Sequence, residues 1–264
     1  MGKFIGKPIL REIEDKQEEL ARQMNNPLGF IIGGFHMRSL EQEAVLHSFK
    51  IEYPDKFKHG STQYDTHASG RKKKEGIKAL ERAFTYGSSH FKRDKPETFN
   101  DSLIQGIAGR IGHDTFNSNE APYRKKSVSI AGASWKPPYP DKIPDQLASF
   151  FYDICEILKD DSIGATVEAA AFAHLNLDRI HPFIDCNGRT CRTVQNVILR
   201  SKNLPPPVIY SGERFDYYRR LQKAIEGWQG RIDKKQYDSI SEGEEQYYNY
   251  IGSLVSSSLD RLLD

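Results

Sequence analysis

Between His181 and Arg192 the chain reads HPFIDCNGRTCR. Four kinds of group useful to phosphate chemistry stand together there. A histidine takes up a proton near neutral pH. An aspartate offers hard oxygen ligands to Mg²⁺. Asn187-Gly188 reads as a turn opening a helix, and a helix N-terminus presents free N–H groups and a positive dipole end to an anion. Arg189 and Arg192, three residues apart on such a helix, lie on one side of it and grip successive phosphates through their planar forks. The predicted division of labour gives His181 a hydroxyl proton, Asp185 a metal ion, and Arg189 and Arg192 the phosphates.

The elements that must hold this loop are mostly helical. The spacing predicts helices over 8–24, 74–86 and 99–113. Residues 26–70 have a poorer pattern, rich in Gly, His and Ser. A helix over 146–160 is expected, with Asp145 as its cap. Residues 162–180 form an alanine-rich helix suited to close, central packing. The motif joins it to a helix from 187 or 188 to about 203, which Pro205-Pro206-Pro207 stops. Two further helices are expected over 213–226 and 236–262. Ser127 to Ile130 alternates polar and apolar residues before Ala131-Gly132, which predicts a short strand or hairpin.

The composition narrows the function. The chain has 264 residues with 38 Lys and Arg against 36 Asp and Glu, a net charge of +2. So even a mixture argues against nucleic acid as the main partner. The basic block Arg71–Lys74 reads first as a solvated face. No apolar run is long enough to span a membrane, and residues 1–17 lack a signal-type apolar core. The three cysteines, Cys155, Cys186 and Cys191, do not suggest a disulfide framework. A cytoplasmic setting is expected. His181 with Cys186 and Cys191 lacks zinc-site spacing.

The motif resembles the Fic family signature HPFx(D/E)GNGRxxR, matching at His181, Pro182, Phe183, Asp185, Asn187, Gly188, Arg189 and Arg192. The preceding AAAFAHLNLDRI, with His174 and Ile180, is similar to the Fic helix that leads into the motif, and Asn196 also stands at a Fic-like position. YRKKSVSIAGASWKPPYPDKIPDQL resembles the family's flap, and ERFDYYRRLQKAIEG its helix beside the nucleobase pocket. The likeness covers about residues 95–230. It implies a mainly α fold: a Fic-type helical domain over 95–264 with a short β-hairpin flap, preceded by an N-terminal helical extension over 1–94. It implies transfer of AMP from ATP to a Ser, Thr or Tyr hydroxyl of a protein, with Mg²⁺. His181 would be the base and Asp185 the Mg²⁺ ligand. Asn187 and the N–H groups near Cys186 and Gly188 would steady the α-phosphate. Arg189 and Arg192 would hold the outer phosphates. Tyr217 or Tyr218 would stack on the base. Ser127, Val128, Ser129, Ile130, Ala131 and Gly132 would pair with an extended target segment by strand addition. A homodimer is a further expectation.

The chain departs from the family pattern in places. Cys186 replaces the first glycine of GNG, and Ile225 stands where AMP-transferring members have an adenine-contacting Asn. Both keep other donors open: UMP, GMP, phosphocholine or a γ-phosphate. A catalytically weak nucleotide-binding regulatory module is the other alternative. The family's inhibitory pattern (S/T)xxxE(G/N) has no strict copy. Ser39–Ala44 misses it at the last position and Asp238–Gly243 at the first, which makes Glu43 and Glu242 the candidate inhibitory residues.

Overall fold

The computed structural model describes residues 4–53, 70–130, 132–236 and 239–264. Among them it has ten α-helices: α1 (Lys7–Gln23), α2 (Pro27–Glu52), α3 (Gly70–His90), α4 (Asp101–Ile111), α5 (His113–Phe116), α6 (Ile143–Leu158), α7 (Ile163–Ile180), α8 (Asn187–Arg200), α9 (Arg214–Asp233) and α10 (Glu242–Leu263). None is long and apolar enough to cross a membrane.

The hub is α7. Its alanines at 165, 169, 170, 171 and 173 are almost wholly buried, and small side chains let neighbouring helices approach closely on several sides. α6, α8, α9, α10 and α1 all pack against it. Ser162 caps its start by accepting from the Ala165 N–H at 3.1 Å, as a serine N-cap should. His181 ends it in a left-handed conformation, φ 50° and ψ 58°. One apolar core runs from Ile5 through Phe183 to Leu262, so α1 and α2 share the core of the motif helices.

Three expectations are corrected. The stretch 26–70 holds a 26-residue helix, α2. It lacks a clear amphipathic period because its N-terminal half, PLGFIIGGF, is apolar on every side. Asn26 caps it, accepting from the Gly29 N–H at 2.8 Å. The helix predicted from residue 146 begins at Ile143, and Lys142 rather than Asp145 stands at its cap position, with no side-chain cap bond. No β-hairpin is found at the flap among the described residues. Residues 127–130 are irregular, and an isolated bridge between Lys92 and Lys95 is the only β pairing among the described residues. The turn at Gly132, φ 80°, is closed by one bond from the Ala133 N–H to the Ile130 carbonyl at 3.1 Å. A strand needs a ladder partner to satisfy its N–H and C=O groups, and this segment has none among the described residues. Ala131 and Asp238 lie outside the described residues.

Candidate active site

The α7–loop–α8 unit builds itself from local bonds. His181 lies just past α7, its N–H bonded to the Leu177 carbonyl at 2.9 Å. Phe183 is fully buried and anchors the loop against Tyr123 and Phe116. Asn187 locks the turn from both sides. Its Oδ1 accepts from the Phe183 N–H and its Nδ2 donates to the Phe183 carbonyl, both at 2.9 Å. The Asn187 carboxamide is therefore spent on the loop rather than aimed at a ligand. Cys186 enters α8 at φ 70°. Only glycine takes that conformation without cost, which is about 1–2 kcal/mol for other residues. This is the physical sense of a glycine here, and Cys186 departs from it.

Arg124 ties the neighbouring segment 121–139 to this loop. Its backbone N–H donates to the Pro182 carbonyl at 2.9 Å. Its guanidinium donates to the carbonyls of His181 at 2.7 Å, Pro138 at 2.6 Å and Lys126 at 3.1 Å. Arg124→Ala leaves these acceptors without a donor in a buried setting, a loss of about 3 kcal/mol. Thermal denaturation should show Tm falling by roughly 10 °C.

The ring of His181 is held through Nδ1, which donates to the Asp178 carbonyl at 3.2 Å. That leaves Nε2 as the lone-pair nitrogen. Burial pushes its pKa down to about 4, so the imidazole is neutral, with a free lone pair, at neutral pH. Burial also pushes the Asp178 carboxyl up to about 7; it lies 3.9 Å from Nδ1. Asp185 is half exposed. It accepts from the Cys186 N–H at 2.6 Å and stands 3.4 Å from Arg189 Nη2. No cluster of three or more metal-ligating side chains occurs among the described residues. A single half-exposed carboxylate fits Mg²⁺, which takes one or two protein oxygens and completes its shell with phosphates and water.

Arg189 is buried, donating to the Cys186 sulfur at 3.2 Å, and its Nε is buried without a partner. Burial pushes the Cys186 thiol up to about 12, so it is a neutral filler rather than a thiolate. A crevice of about 830 Å³ runs from Asp185, Cys186 and Arg189 to Tyr53, Arg71 and Arg110.

Arg192 is fully engaged. Its Nη2 donates to Glu52 Oε1 at 2.7 Å and to the Ser48 carbonyl at 3.2 Å, and its Nε to Ser48 Oγ at 2.9 Å. Nη1 donates to Tyr217 Oη at 3.4 Å. Behind it a buried chain continues: Tyr217 to His174 at 2.8 Å, and His174 to Gln195 at 2.6 Å. Burial pushes the His174 pKa down to about 3, so Nδ1 donates to Gln195 and Nε2 accepts from Tyr217. Glu52 also crowds the start of α8: a Cβ on Gly188 would lie 2.7 Å from Glu52 Oε1.

The structure thus brings His181, Asp185, Cys186, Gly188, Arg189 and Arg192 together and leaves other predicted residues aside. Tyr217 is 1% exposed and serves Arg192 from the core, whereas Tyr218 is 39% exposed and free to meet a base. Ile225 is buried and turned away from solvent. Glu43 pairs with Arg261 at 2.6 Å, and Glu242 accepts from Gln246 at 2.8 Å. The carboxylate on Arg192 is that of Glu52. Sequence reasoning passed over Glu52, Ser48, Arg124 and Asp178. Ser48-Phe49-Lys50-Ile51-Glu52-Tyr53 carries the same near-match as Ser39–Ala44, failing only at its last position.

Residues 97–199 match the model of the Fic/DOC family. This chain carries a Fic/DOC domain. A protein adenylyltransferase Fic from Nematostella vectensis is 32% identical over 151 residues, 57% of this chain and 34% of that protein. The chain therefore spans about a third of that relative's length. A Fic-domain signalling protein from Bacteroides thetaiotaomicron shares the fold with a TM-score of 0.73 at 20% identity, over 96% of this chain and 94% of that one. A Fic-1 fragment from C. elegans does so with a TM-score of 0.71 at 20% identity, over 97% and 71%.

Proposed function

We propose that the chain transfers AMP from ATP to a Ser, Thr or Tyr hydroxyl of a protein, and that Glu52 restrains it. The observation that carries the transfer reading is His181, held by Nδ1 with Nε2 unprotonated, beside the N-terminus of α8 and its two arginines. The hydroxyl oxygen attacks the α-phosphorus and forms the new P–O bond. The bond from the α-phosphorus to the bridging oxygen breaks, and pyrophosphate leaves. The hydroxyl proton passes to His181 Nε2. N–H groups in the first turn of α8 have no intrahelical acceptor and stabilise charge as it grows on the α-phosphate. Mg²⁺, bound through Asp185, would neutralise phosphate charge. The segment at 127–130, outside any β-ladder among the described residues, suits a target presented as a strand.

Intact-mass analysis after incubation with each nucleoside triphosphate tests this. A gain of one AMP on a substrate protein or on the chain itself supports it; a UMP, GMP or bare phosphate mass moves the donor assignment instead. The second reading, a different donor, is favoured by Ile225, whose burial leaves no side chain at that position to read a base edge.

The buried base predicts a pH profile. His181 accepts a proton only when neutral, and its pKa lies near 4 instead of the ordinary value of about 6.5. Initial rates are expected to stay level as pH falls through the ordinary histidine range, with the acid limb nearer pH 4. A limb centred at about 6.5 in kcat/KM would contradict this.

A further inference from the structure

From Arg71 to Arg82, α3 carries six Lys and Arg against two Glu, an excess larger than the +2 net charge of the whole chain. Part of that charge faces the catalytic loop. Arg71, Lys72 and Arg82 line the crevice that ends at Arg189, with Arg110 of α4 beside them. A second hollow of about 550 Å³ adjoins it, sharing Arg82 and Arg110 and adding Lys78. Among the described residues no carboxylate pairs with Arg71, Arg82 or Arg110. Arg110 lies over the Tyr86 ring and donates only to carbonyls, of Gly106 at 2.9 Å and Asn119 at 3.1 Å. At the inner end the Arg189 side chain is 9% exposed, and its Nε is buried without a partner. A buried cationic donor without an acceptor is costly, so an anion completes this crevice.

We infer that the crevice docks an acidic segment of the protein that receives AMP, an inference that rests on the transfer reading above. Carboxylates meet guanidinium groups in paired, charge-assisted bonds. Size argues against a small anion: the two adjoining hollows together exceed the roughly 300–1,000 Å³ of a small-molecule pocket. Composition argues against nucleic acid. Glu75, Asp114 and Asp185 stand among the cations; a polypeptide can space its charges around them, whereas a continuous phosphate backbone cannot. The sequence pI of about 8.3 also falls below the range of nucleic-acid-binding domains. Phe49, Tyr53 and Ile111 add apolar wall for the uncharged side chains of such a segment. Because the crevice reaches Asp185 and Arg189, docking there holds the target beside the catalytic loop and raises the local concentration of its hydroxyl groups.

Fluorescence anisotropy tests this with a labelled oligoglutamate peptide titrated with the full chain at low salt and without nucleotide. Wild type is expected to bind it. Arg71→Glu and Arg82→Glu should each weaken binding about tenfold, while Lys159→Glu, the same charge change at the end of α6, should leave it within about twofold. Arg71 and Arg82 are exposed, so helix content and Tm should hold. Oligouridylate RNA and inorganic pyrophosphate, each at the peptide's concentration, should not displace it. A wild-type chain that does not bind the peptide overturns the inference. So does equal weakening by Lys159→Glu, full binding in both arginine variants, or displacement by either competitor. A chain that binds the peptide yet never transfers AMP removes the transfer reading and leaves the acidic docking site; a chain that transfers AMP without binding the peptide does the reverse.

Discussion

His181→Ala is expected to reduce AMP transfer by at least about 10²–10⁴-fold while leaving ATP affinity within about twofold. The asymmetry follows from where His181 acts. In the proposed mechanism its Nε2 accepts the hydroxyl proton only as the nucleophile attacks, so it contributes to the transition state and little to ground-state binding. Its removal deletes no arginine and no α8 N–H, and Phe183 and Asn187 keep the loop in shape. Single-turnover rates and isothermal titration on the same variant separate the two effects. A variant that binds ATP poorly and turns over in proportion to its occupancy would sink the base assignment.

Glu52→Gly is expected to raise nucleotide affinity and self-modification by roughly 10–100-fold. The Glu52 carboxylate takes Nη2 of Arg192 at 2.7 Å and lies over Gly188, where an incoming phosphate would approach the backbone. Freed, Arg192 regains charge-assisted bonds to an outer phosphate, worth about 1.5–3 kcal/mol. Its bonds to Ser48 and Tyr217 remain, so the guanidinium stays oriented. Glu52→Gln keeps the side-chain volume while removing the charge, and should give a partial rise in a chain that folds as wild type. Glu43→Gly and Glu242→Gly should leave the rate unchanged, because those carboxylates face Arg261 and Gln246. Equal rates in all four variants would remove the lock.

Much of the candidate active site was legible because it is local. His181 to Arg192 is a single helix–loop–helix, and its main constraints, the Asn187–Phe183 lock and the Arg189–Asp185 approach, span four residues. The helices around it followed from amphipathic period, with α7 recognisable by its alanines. α2 was illegible for a physical reason: apolar residues cover its whole N-terminal half, so the pattern has no solvent face to reveal. The flap was over-read. Alternation at Ser127 to Ile130 reports strand propensity, but a ladder forms only with a partner strand.

Sequence alone determined which chemical groups residues 181–192 bring together, since those groups are ordered by neighbours a turn away. It also placed Arg192 among the phosphate-handling groups. Which carboxylate faces Arg192 was decided only by the tertiary structure. Three glutamates sat in comparable near-matches, and local pattern carries no information about contacts across 140 residues. The packing of α2 on α8 and α3 brings Glu52 to the guanidinium, and the salt bridge exists because that helix ends there.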